Sequence, residues 1–72
     1  MELDPTKLKR VRQSKAMTQA ELAKAAKIRQ GTVSILEQDG RTSEARMSTV
    51  RKLADALGVA PSEIMSEVKE ER

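Results

Sequence analysis

The chain has no cysteine, no histidine, and no phenylalanine, tryptophan or tyrosine among its 72 residues. Without Cys and His there are no disulfides, no Cys/His metal sites, no thiol nucleophile and no imidazole general base. Without aromatics the core must be filled by Leu, Ile, Val, Met and Ala. That palette suits short helices in close contact and argues against a sheet, whose strands favour β-branched and aromatic residues. No apolar run approaches the ~18 residues of a membrane span, and no signal-peptide pattern opens the chain. A soluble, cytoplasmic protein with no membrane association is therefore expected. There is no Gly-rich phosphate loop and no convincing carboxylate pair in a pocket, and helical domains of this size rarely offer a water-excluded cleft. An enzyme is not expected, nor a metal or other cofactor. Seventy-two residues allow one domain, 1–72, which is marginally stable unless well packed or oligomeric.

Charge is what the chain has in quantity. Its net charge is +3, unevenly spread. Residues 1–59 hold twelve Lys/Arg against seven Asp/Glu, whereas residues 60–72 hold two against four. A basic body with an acidic end fits a polyanionic partner for the body. An ordinary solvated surface gives the same count, so charge alone does not decide.

Local signals divide the chain into five helices. Asp4-Pro5 is an N-cap followed by proline at the first helical position, where a missing N–H is no loss. The first helix, about 5–15, buries Leu8 and Val11 and carries Lys7, Lys9, Arg10 and Arg12. Thr18-Gln19-Ala20-Glu21 is a capping box, with Met17 placed to staple onto Leu22. The second helix, 19–26, turns Leu22, Ala23 and Ala26 inward. A tight connection at Lys27-Ile28 leads to a third helix over 30–38, which Asp39-Gly40 ends. The loop RTSEAR follows. A fourth helix over 47–57 buries Val50, Leu53, Ala54 and Leu57 and stops at Gly58. Pro61-Ser62-Glu63 starts a short fifth helix, 61–67, and the tail 68–72 frays. The expected fold is all-α, a compact five-helix bundle.

The third helix has an unusual outer face. On a wheel of 100° per residue, Thr32, Val33 and Leu36 share one side. Gly31, Ser34 and Gln38 lie opposite, flanked by Gln30 and Ile35. A solvated face would carry Lys and Glu at i,i+4. This one has short polar side chains, a bare backbone and an aliphatic residue, as if something approaches it closely.

The combination MTQAELAKAAKIRQGTVSILEQ with LADALGVAPSEI resembles the helix-turn-helix domains of phage repressors and Cro proteins, the xenobiotic-response-element type, over roughly residues 7–66. The resemblance implies that helices 2 and 3 form the helix-turn-helix and that Ala23 and Val33 pack closely between them. It makes helix 3 the recognition helix in the major groove of double-stranded DNA. Gln30 matches the leading base-reading position, where its amide can make a bidentate contact to adenine. Gly31 either permits close backbone approach or is merely tolerated at a helix start. Ser34 and Ile35 match groove-facing positions; Ile35 packs either on a thymine methyl or against the first or fourth helix. Phosphate contacts are implied for Thr18, Gln19 and the N–H groups of helix 2, and for Gln38 and Arg41. Arg29 and Lys27, near the entry of helix 3, are further candidates, with Arg46 and Arg10 weaker ones. Any single cation is more often a solvated surface charge; the case rests on clustering. The family often pairs an arginine of helix 1 with the Glu ending helix 3, here Arg12 and Glu37, a bridge expected to fix the presentation of helix 3.

Three departures from that pattern stand out. Lys27 replaces the usual glycine of the turn, which requires a non-glycine residue at positive φ. Arg29 stands where Ser or Thr would cap helix 3. The loop after LEQDG is about one residue longer than usual and lacks its proline.

One recognition helix reads only ~4–5 base pairs, so a homodimer on paired half-sites is expected. The leftover apolar residues Ile64, Met65 and Val68 are the expected dimer surface. The competing class is a protein-interaction module, an antitoxin or adaptor gripping a protein partner. An antitoxin can also bind DNA, so the two readings overlap; salt-sensitive binding to random duplex separates a DNA binder from a pure adaptor.

Overall fold

In the computed structural model the described residues are 2–38 and 46–66. They form β1 (Glu2–Leu3), α1 (Pro5–Ser14), α2 (Gln19–Ala26), α3 (Gln30–Leu36), α4 (Met47–Leu57), a single 3₁₀ turn (Pro61–Ile64) and β2 (Met65–Ser66). Among the described residues there are four α-helices, and the expected fifth is shortened to that one turn. A two-residue antiparallel pairing, Leu3 opposite Met65 and Glu2 opposite Ser66, takes the place of its later part. The fold is all-α in its helix-turn-helix framework, as expected, with four α-helices in place of five among the described residues.

The reason is burial. Ile64 and Met65 are adjacent, and both are sequestered, at 0% and 4% exposure. Switching from a 3₁₀ turn to extended backbone at Met65 lets neighbouring side chains both turn inward. The freed backbone groups are taken up by β1 and by Asp4, whose N–H donates to the Ile64 carbonyl at 2.9 Å. Leu3, at 1% exposure, enters the core from β1.

The helices begin and end for local reasons. Asp4 accepts from the N–H groups of Thr6 and Lys7. Thr18 and Glu21 form a reciprocal capping box. Arg29 and Arg46 cap α3 and α4 without a side-chain hydrogen bond. Three helices close on the same device, a left-handed residue followed by an N–H reaching five residues back: Met17 to Arg12, Ile28 to Ala23 and Val59 to Ala54. The left-handed positions are Ala16, Lys27 and Gly58, with φ of 57°, 61° and 72°. Only the last is the residue type suited to it.

The core is aliphatic throughout. α2 packs on both α3 and α4, and the 3₁₀ turn packs on α1 and α4. Leu8, Leu22, Val33, Val50, Leu53 and Ile64 are each at most 1% exposed. Met17, Val11 and Ile28 lean on this core from its edge. Among the described residues no helix is long and apolar enough to cross a membrane.

Candidate nucleic-acid interface

α3 is anchored by Val33 and Leu36, at 0% and 3% exposure. That fixes its rotation. Gln30, Gly31, Ile35 and Gln38 are then exposed, with Thr32 and Ser34 half-buried. Ile35 is 44% exposed, so it lies outside the core rather than sealed against a neighbouring helix. Gly31 has nothing within 4 Å of where a Cβ would stand. No neighbour in the described protein calls for a glycine there.

The end of α3 is held by a junction of side chains. Glu37 Oε2 accepts from Arg12 Nε at 2.6 Å and Glu37 Oε1 from the same guanidinium at 3.1 Å. Arg12 also donates to the Met17 carbonyl at 2.6 Å. A third residue joins from α2, where Gln19 Nε2 donates to Glu37 Oε1 at 3.0 Å. The Arg12 and Glu37 side chains are only 10% and 3% exposed. The hydrogen bond to Glu37 raises the Arg12 pKa above its ordinary value, burial works against this, and the Glu37 charge adds to the rise. One junction thus ties together α1, the turn after it, the start of α2 and the end of α3.

Sequence reasoning paired Arg12 with Glu37 but did not foresee Gln19 as the third member. Its amide nitrogen turns inward to Glu37, although a phosphate role was expected of it. The i,i+18 relation to Glu37 carries no local signal. Thr18 is exposed at the α2 N-cap, its hydroxyl oxygen accepting from the Glu21 N–H at 3.0 Å. Lys27, Arg29 and Arg46 are exposed at the ends of helices. Arg10 is exposed on α1, in an open hollow shared with Lys9, Gln13 and Glu37. Arg41 lies outside the described residues, as does Val68.

The expected dimer patch needs correction. Ile64 and Met65 belong to the protomer's own core, because the 3₁₀ turn and β2 fold them onto α1 and α4. They are not leftover surface. The large apolar residues exposed among the described ones are Ile35 and Met47, at 44% and 49%.

Two short helices joined by a tight turn, the second presenting an uncharged outer face beside basic helix ends, define a helix-turn-helix DNA-binding domain. The chain belongs to the Cro/C1-type HTH DNA-binding domain family, whose model matches residues 7–70. Among solved structures it is similar to the restriction-modification controller protein C.AhdI from Aeromonas hydrophila. The two are 26% identical with a TM-score of 0.77, over 85% of this chain and 89% of the other. No match to a curated protein was found.

Proposed function

We propose that this protein is a sequence-specific transcription regulator that lays α3 in the major groove and binds paired half-sites as a homodimer. The observation that carries the reading is the outer face of α3. It is exposed and free of charge, and it holds a glycine whose missing Cβ faces open space. Small side chains on a helix held by two buried anchors suit base edges, which lie at the floor of a groove. Gln30 is the leading base contact, with Gly31, Ser34 and Ile35 completing the face. The phosphates meet Thr18 and the α2 N-terminus, Lys27, Arg29, Gln38, Arg41 and Arg46. Arg12 and Glu37 set the angle of α3. Similarity to a restriction-modification controller protein supports a regulatory use.

The test is selection of bound duplexes from a random pool, repeated with Gln30→Ala. The expected product is a two-fold symmetric motif in which the variant loses preference at one position per half-site, by about 1–3 kcal/mol of discrimination. Recovery of no motif, or an unchanged motif from the variant, would overturn the reading.

The exposed Ile35 and Met47 favour a second use, as an antitoxin or adaptor that grips a protein partner. Binding to random duplex that weakens steeply with salt marks phosphate contacts. An adaptor shows no such binding.

A further inference from the structure

The Glu37 carboxylate collects hydrogen bonds from two helices, and the two sources constrain different things. The Arg12 fork comes from α1 and ties the end of α3 to a helix outside the helix-turn-helix. The Gln19 amide comes from the first residue of α2 and ties α3 to its own partner helix. A fork alone lets the carboxylate rock about the fork axis. A third donor from another direction stops that rocking. α3 has only seven residues, a rod of ~10 Å, so a tilt at its end moves every groove-facing side chain along it.

We propose that Gln19 is a positioning residue for base readout: by donating to Glu37 it sets the angle between α2 and α3. This rests on the reading of α3 as the groove helix. Gln19 is half-buried with its amide nitrogen turned to Glu37, the posture of a brace. It acts on all base positions together, through the helix that carries them.

The experiment compares the full chain with its Gln19→Met variant, which keeps length and helix propensity but loses the donor. Each is titrated with the best duplex from the selection and with a random-sequence duplex, across a salt series. Unfolding is followed separately so that binding is read where both proteins are folded. The expected result is a fall of about five- to tenfold in the ratio of selected to random affinity, the scale of one lost hydrogen bond. It is spread over the half-site, and affinity for the random duplex stays at that of the parent chain. When Arg12→Met and Glu37→Met are already present, adding Gln19→Met changes the ratio no further.

Weakening of the random duplex as much as the selected one would make Gln19 a backbone contact only, with no part in readout, and overturn the proposal. An unchanged ratio, or a full loss on the Met/Met background, overturns it too. If the parent chain binds no duplex at all, the groove reading itself fails and this inference with it, an outcome visible before any variant is made.

Discussion

Gly31 is the residue at which stability and binding pull apart. Within a helix, glycine is less favourable than alanine by roughly 0.5–1 kcal/mol, and here a methyl group meets nothing within 4 Å. Gly31→Ala is expected to raise the unfolding free energy by about that amount in denaturant titration. The same change weakens binding to the selected duplex if the bare backbone approaches a base edge. Equal or tighter binding would reduce Gly31 to a tolerated helix start. Two further residues carry backbone strain, which bears on stability whatever their side chains contact. Ala16 and Lys27 sit at φ of 57° and 61°, where an L-residue is disfavoured by about 1–2 kcal/mol. Replacement by glycine removes that cost but loosens the unfolded chain by ~0.4–1 kcal/mol. Ala16→Gly and Lys27→Gly should each stabilise by about 0.5–1 kcal/mol, additively, since they close different helices. Lys27 was readable beforehand because the motif locates the turn. Ala16 was not, because SKAM carries no glycine or asparagine and its left-handed backbone follows from how α1 closes onto Met17.

At the scale of elements, the Arg12–Glu37 pair separates holding the fold from aiming it. Both side chains are nearly buried, so removing Glu37 alone leaves a guanidinium without its counter-charge, at a cost of about 3 kcal/mol or more. Replacing both partners with methionine removes the charges along with the penalty and is expected to leave stability within about 1 kcal/mol of the parent chain. DNA selectivity should still fall in the double variant, across the whole half-site and not at one base position. Retained selectivity would show that packing by Val33 and Leu36 is enough to aim α3. Because the folded state raises the Arg12 pKa, its contribution is complete below the unfolded value and is lost only as pH climbs through the folded one. Urea titrations between about pH 7 and 10 should therefore show no step from this group. Residue types and family resemblance were enough to place α1 to α4 within a residue or two, since caps and apolar spacing are local. The end of α3 is the exception: it stops at Leu36, where Glu37 leaves the helix with its carboxylate committed to Arg12 and Gln19, a constraint supplied by other helices.

At the scale of the whole molecule, the least foreseeable feature is that the two ends of the described chain are tied together. Apolar periodicity predicts helices, but a two-residue strand has no periodicity to read. The helix expected over 61–67 fails because the segment pairs with β1, Asp4 N–H taking the Ile64 carbonyl, and Leu3 and Met65 lie opposite each other and share the core. β1 lies outside the family match over residues 7–70, so the resemblance did not carry it. Lys7 Nζ adds a bond to the Met65 carbonyl at 3.1 Å, drawing α1 into the same clasp. In a chain this short, total stability is on the order of 4–10 kcal/mol. One buried leucine cut to alanine costs about 3 kcal/mol once the cavity is included. Leu3→Ala should thus remove a large part of the folding free energy and lower the thermal midpoint by well over ~10 °C. The clasp holds α1 to the 3₁₀ turn and supplies none of the groove-facing residues, so duplexes selected in the cold by this variant should carry the parent motif. A cost under about 1 kcal/mol would mean that the strand pair is dispensable and that α1 to α4 alone hold the interface. A changed motif would instead couple the ends of the chain to the aim of α3.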